Sequence, residues 1–330
     1  MPEFQREHGD GVCYGIRMSR RYAIIGTGAV GGFYGARLQA AGCEVHFLLH
    51  SDADHVRAHG LRVESPDGDL ILNRVHAHAA VETMPPCDVV IVALKTTHNH
   101  LLPRLLAKPL ARDGVVLMLQ NGLGVEAEAA AVVGADRVLG GLCFICANKT
   151  GPGRILHLDY GDVMLGEYRA DGRPGGVTPR MEVIADDLRA ARIPVTCAED
   201  LLLARWKKLV WNIPYNALSV ILRTTTDRLM QQPDTRALVE ALMREVVAGA
   251  AACGKCIDDA FVAKMLADTD RMKPYKTSMM LDHEAGRPLE IDAIYARPLA
   301  SAQAAGAPSP RIETLLRQLR FVGLLRHGLE

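Results

Sequence analysis

No stretch of this 330-residue chain approaches the roughly 20 consecutive apolar residues that a membrane-spanning helix needs. A run such as "VVIVAL" at 89–94 has the length of a strand. Charge of one sign is also lacking. Acidic and basic residues balance at 38 each, so the bulk charge gives no pull toward nucleic acid or an anionic membrane surface. The opening "MPEFQREHGDGVCYGIRMSRR" lacks the apolar middle of a secretory signal. Residues 1–20 are read as an N-terminal extension without order, with Met18 a candidate start just before the first strand.

A disulfide framework is missing too. Eight cysteines lie scattered through a long chain, which fits a reducing, cytoplasmic setting. Two C-x-x-C pairs occur, Cys143/Cys146 and Cys253/Cys256, but they lie too far apart for a zinc ribbon. They read as small buried hydrophobes, and no metal is expected. The H-x-H pairs His76/His78 and His98/His100 have no carboxylate or cysteine set nearby and read as surface or strand residues. Internal repeats and low-complexity segments are absent.

What is present divides in two. "YAII" (22–25) runs into "GTGAVGG", then a helical pattern closed by Gly42, then the strand pattern "EVHFLL" (44–49). "LRVESPDGDLILNRVHAHA" (61–79) reads as a hairpin around Pro66-Asp67-Gly68. "CDVVIVAL" (87–94) and "GVVLMLQ" (114–120) are continuous apolar runs, as expected of strands covered on both faces in a parallel sheet. "RVLGGLCFICAN", "GRILHL" and "GDVMLGE" read as three more strands joined by glycine turns. From about residue 199 only helical patterns follow. The boundary is set near "VTCAED" (195–200), giving a domain over 21–197 and an all-helical domain over 198–330.

Gly26, Gly28 and Gly31 form G-x-G-x-x-G directly after a strand and at the opening of a helix. This pattern reads as an α/β Rossmann-type dinucleotide site, with Gly26, Thr27, Gly28, Ala29, Val30 and Gly31 as the phosphate turn. An NAD site usually carries Asp or Glu at the end of the next strand for the ribose 2′-OH. His50 and Ser51 stand there instead, with Asp52 and Asp54 following and Arg57 nearby. A 2′-phosphate suits His50, Ser51 and Arg57, so NADP (NADPH) is expected; Asp52 as an NAD selector is the competing reading. Lys95 and Asn121 stand at two further strand ends, where ligands of doubly wound sheets collect.

In "WKKLVWNIPYN" (206–216), Lys208, Asn212 and Asn216 recur every fourth residue among apolar neighbours. That spacing stacks them on one helix face. The stripe either faces the cofactor crevice, or Lys208 reaches to water while both asparagines pair with local backbone. Pro214 removes a backbone donor and is expected to kink the helix.

These motifs together resemble the ketopantoate reductase family (2-dehydropantoate 2-reductases). "GTGAVG" matches its glycine motif, "ALKT" its lysine, "NGLG" (121–124) its asparagine loop and "WKKLVWNIPYN" its helix signature. "SMMLDHEAGRPLEID" matches its late serine and glutamate, here Ser278 and Glu290; the likeness spans roughly residues 21–325. The resemblance implies a helical second domain of the 6-phosphogluconate dehydrogenase C-terminal-like kind. It implies NADPH-dependent reduction of the small-molecule 2-keto acid ketopantoate to pantoate, in pantothenate and coenzyme A biosynthesis. Lys208 would be the general acid and Glu290 would hold the substrate hydroxyl. Asn121, Asn212, Asn216 and Ser278 would orient the substrate, and Lys95, Asn121 and Glu290 would lie against the cofactor. Two departures stand out: His50 replaces the family's common arginine, and Pro214 precedes Asn216 where many relatives place a proline after it. Another 2-keto acid as substrate, or a non-catalytic NADP(H) sensor, are the alternatives. An apolar tail, "LRFVGLLR", suits either a homodimer interface or packing within the chain.

Overall fold

A computed structural model describes residues 20–324. The expectation for residues 1–19 lies outside the described residues. Arg20, counted with that extension, is described: its guanidinium grips Asp187 at 2.7 Å.

Along the first half run β1 (Arg21–Ile25), α1 (Ala29–Ala40), β2 (Glu44–Leu48), α2 (Ala53–His59), β3 (Leu61–Glu64), β4 (Leu70–Leu72) and β5 (His76–His78). Then come β6 (Cys87–Val92), α3 (Leu102–Ala107), β7 (Leu110–Met118), α4 (Val125–Val133), β8 (Val138–Gly151), β9 (Arg154–Glu167), α5 (Pro179–Ala190) and β10 (Val195–Ala198). They form one sheet of order β4-β3-β9-β8-β7-β6-β1-β2-β5, with β10 beside β9. β1 pairs in parallel with both β2 and β6, and β7 continues the parallel run. Alternation along β1 shows why both faces are covered. Tyr22 and Ile24 enter one core with Phe33, Phe47 and Leu188, while Ala23 and Ile25 enter another with Val90, Leu102 and Val125.

Two expectations change. The 61–79 hairpin ends at β4, because His76–Ala77–His78 cross to the far edge of the sheet and pair with β2. The three strands expected after residue 137 are two long ones. Gly161 (φ +132°) does not make a turn: Phe144 pairs with Asp162 and Ile145 with Tyr160, so Gly161 is the extra residue of a bulge.

Helices follow: α6 (Leu201–Leu222), α7 (Thr226–Gln231), α8 (Pro233–Ala252), α9 (Asp259–Arg271), α10 (Ser278–Glu284), α11 (Arg297–Ala304) and α12 (Pro310–Leu324). Asp200 starts α6 by accepting the Leu203 N–H at 2.9 Å. Gln232 caps α8 by accepting the Asp234 N–H at 3.2 Å. A π-turn at Asp292–Ala296 leads into α11. α6 runs through the middle of this half, and Trp206, Leu209, Val210, Ile213 and Val220 lie in its core. The helical assignment is unbroken at Pro214, where a kink was expected. The Tyr295 hydroxyl donates to the Ile213 carbonyl beside it at 3.0 Å.

Candidate functional site

The glycine turn is built as its chemistry requires. Gly26 sits at φ +97°, and a Cβ there would lie 2.7 Å from the Leu94 nitrogen. A Cβ on Gly31 would lie 2.3 Å from the Gly26 carbonyl oxygen, so the helix can approach the strand only without a side chain. A Cβ on Gly28 would meet nothing within 4 Å. The turn is thus packed at both ends and open in the middle, a cradle that admits a pyrophosphate at the N-terminus of α1. Ala29 and Val30 begin that helix, and the Thr27 hydroxyl donates to Leu48 O at 2.9 Å, tying the turn to β2.

Beyond β2, His50 and Ser51 are exposed. Asp52 is not: it is 5% exposed, its Oδ2 lies 2.6 Å from the Lys149 ammonium, and it accepts the Gly153 N–H at 3.1 Å. Arg57 is turned to Asp54 at 2.6 Å. Lys149 also donates to Thr27 O at 3.2 Å. No local spacing in the sequence links Lys149 to Asp52, which is why neither was seen as half of a pair.

At the next strand ends, Lys95 meets two carboxylates, Asp282 at 2.7 Å and Glu290 at 3.3 Å. Glu290 also accepts the Thr96 N–H at 2.9 Å. Burial pulls the Lys95 ammonium down, but Glu290 and Asp282 outweigh it and raise the pKa above the ordinary lysine value. Asp282 was missed in the sequence. It lies four residues after Ser278 on α10, so the same one-face spacing that singled out Lys208 could have found it.

Asn121 follows Gln120, whose amide exchanges hydrogen bonds with Asn99 and donates to Leu94 O at 2.8 Å. This locks the ends of β6 and β7 together. Gly122, at φ +95°, lies so close to Ala293 that a Cβ would be 2.5 Å from its carbonyl oxygen. The Leu123 N–H donates to that same oxygen at 2.8 Å. Main chain of the sheet half therefore meets main chain of the helical half beside Asn121.

Lys208, at the start of the stripe on α6, faces the sheet half. Lys208 is half-buried and donates to the Cys143 carbonyl at 2.6 Å, with its ammonium 5.1 Å from the centre of the Phe144 ring. Burial lowers its pKa to about 8, with Arg205 adding to the fall and Cys143 and Glu290 opposing it. Asn212 and Asn216 are buried, and Asn216 Oδ1 has no hydrogen-bond partner among the described residues. Ser219 extends the row. It donates to Asn216 O at 3.1 Å and lies 2.7 Å from the Thr277 hydroxyl, beside Ser278 at the start of α10. The expected alternative, Lys208 reaching to water with asparagines paired to backbone, does not describe this geometry.

The arrangement offers a cradle for a dinucleotide, an amine of lowered pKa, and two buried amides with a buried hydroxyl further along α6. Of the expected set, Lys95 and Glu290 are joined directly and Lys208 lies within the field of Glu290, while no hydrogen bond or ion pair joins Asn121, Asn212, Asn216 or Ser278 to them among the described residues. An arginine one turn before Lys208 belongs to the frame and was also missed. Arg205 donates from Nε to Glu126 at 2.9 Å and from Nη1 to Gln120 O at 2.5 Å.

Residues 22–170 match the family model described as ketopantoate reductase PanE/ApbA, and residues 200–323 match its C-terminal counterpart. A 2-dehydropantoate 2-reductase from Nostoc sp. is 55% identical over 92% of this chain and 95% of its own length. A crystal structure of the 2-dehydropantoate 2-reductase from Geobacter metallireducens superposes with a TM-score of 0.88 at 42% identity, covering 91% of this chain and 99% of that one. D-mandelate dehydrogenase, solved with NADH and anilino(oxo)acetate, shares the fold at a TM-score of 0.83, 20% identity and coverage of 93% and 100%.

Proposed function

Because the chain belongs to the ketopantoate reductase family, we propose that it reduces 2-dehydropantoate to pantoate with NADPH. It does so in the cytoplasm, in pantothenate and coenzyme A biosynthesis, as a homodimer joined at the exposed end of α12.

Bound at the glycine turn, the nicotinamide cofactor supplies the hydride that converts the C2 ketone to an alcohol. The protein's task is to handle the charge that results. Negative charge grows on the ketone oxygen, and an ammonium aimed there stabilises it and then gives up a proton. Lys208 is the group suited to this. Its lowered pKa brings proton release close to neutral pH, where a lysine of ordinary pKa would hold its proton more tightly. To donate, the amine exchanges the Cys143 carbonyl for the substrate oxygen. Glu290, half of a carboxylate pair on Lys95, holds the substrate's terminal hydroxyl. Asn121, Asn212, Asn216 and Ser278 orient the carboxylate, carbonyl and hydroxyl groups. Gly26 to Gly31, His50 and Ser51 hold the cofactor, with Lys95, Asn121 and Glu290 at its reactive end. Asp52, buried against Lys149, is not displayed for a ribose diol, which supports NADPH over NADH.

The observation that carries the reading is the half-buried Lys208 amine on α6, hydrogen-bonded to the Cys143 carbonyl of the sheet half. The test follows NADPH oxidation with ketopantoate and other 2-keto acids. Lys208→Ala is expected to lower kcat by about a hundredfold or more while NADPH binding is kept. A fully active Lys208→Ala enzyme refutes the mechanism. A wild-type protein that binds NADPH but reduces no 2-keto acid is a sensor, not a reductase.

A further inference from the structure

Lys149 has no part in the chemistry described above, yet it stands where the two cofactors differ. It projects from β8 across the glycine turn to the loop after β2. In a G-x-G-x-x-G site that space lies beside the adenosine ribose, whose 2′ position is the only difference between NADH and NADPH. An ammonium has three N–H donors. One is on the Thr27 carbonyl and one on the buried Asp52 carboxylate. The third has no partner among the described residues, and the side chain is 32% exposed. Asp52 is also tied to the Gly153 N–H in the turn between β8 and β9.

Resting on the reductase reading, we infer that Lys149 selects the phosphorylated cofactor in two ways. Its free N–H faces the 2′-phosphate, and its grip on Asp52 neutralises and withholds the carboxylate that would otherwise serve a ribose diol or repel a phosphate. The missing arginine at position 50 is then compensated from a different strand. The pair acts as a unit, so removing the lysine alone does two things at once. It takes away a phosphate partner and releases a carboxylate close to the ribose.

The test is fluorescence titration of NADPH and NADH against the full chain, with thermal unfolding of each variant as a check on folding. Lys149→Met is expected to weaken NADPH by about tenfold or more, the loss of one charge-assisted hydrogen bond, while NADH binding holds or tightens. Lys149→Met with Asp52→Asn should give back part of the NADPH affinity and remove any gain for NADH. Lys149→Arg should keep the preference. Equal weakening of both cofactors, or an unchanged ratio in a folded variant, overturns the inference and leaves the reductase reading standing. A wild-type protein that binds NADH in preference overturns both the inference and the choice of NADPH. If Lys149→Met unfolds, the Lys149→Arg and Asp52→Asn proteins decide: Asp52→Asn must leave the NADPH preference in place, and a reversal there refutes the pairing.

Discussion

Lys208 is chemically defined by what surrounds it more than by being a lysine. Removed from most water, its charged form is disfavoured, and the pKa falls from the usual lysine range to about 8. The Cys143 carbonyl and the Phe144 ring return some of the lost solvation without reversing the fall. The sign for catalysis follows. A general acid works in its protonated form, so kcat for reduction should be flat below about pH 7 and fall as pH rises through about 8. A profile flat to about pH 10 would mean a lysine of ordinary pKa, and so a different proton donor. At this scale much of the site was readable. The four-residue spacing of Lys208, Asn212 and Asn216 put them on one helix, α6, where Lys208 reaches the sheet half at the Cys143 carbonyl. Asp282 and Lys149 escaped because their roles depend on partners distant in the chain, Lys95 and Asp52.

α6 is positioned by a buried ion pair. Arg205 is 2% exposed and bonds Glu126 in the first turn of α4, together with the Met118 and Gln120 carbonyls at the end of β7. Three residues later on the same face comes Lys208. Arg205→Met would leave Glu126 buried without its counter-ion, a change that typically costs about 3–5 kcal/mol. Urea unfolding should report a loss of that order, and Arg205→Met with Glu126→Leu should recover much of it, since an apolar pair carries no stranded charge. Recovery failing in the double variant would show that the carbonyl contacts, not the ion pair, hold α6. Periodicity located α6 and α12 because each has one sustained apolar face. It failed around Gly161, where a bulge and a turn use the same residue type.

For the whole molecule, the division into a sheet half and a helical half followed from a change of texture, since buried parallel strands and amphipathic helices have different patterns. Pairing across the sheet was less readable, because the crossing of β5 to the far edge depends on β2 and not on its own three residues. No helix among the described residues is long and apolar enough to cross a membrane. The outer surface of α12 leaves Phe321 55% and Leu324 59% exposed, near a groove of about 640 Å³ between α11 and α12 lined mainly by charged side chains, among them Arg297, Glu313, Arg317 and Arg320. Exposed apolar side chains beside a groove suit a second copy of the chain. Sedimentation velocity should give twice the chain mass for the wild type and a folded monomer for Phe321→Glu. A wild-type monomer at assay concentration removes the homodimer.

The seam at Gly122 and Ala293 has a bearing on how such a protein diversifies. It is made of main-chain atoms, so this one contact between the halves does not depend on which side chains line the crevice. Substrate range can drift with the lining, provided position 122 stays glycine.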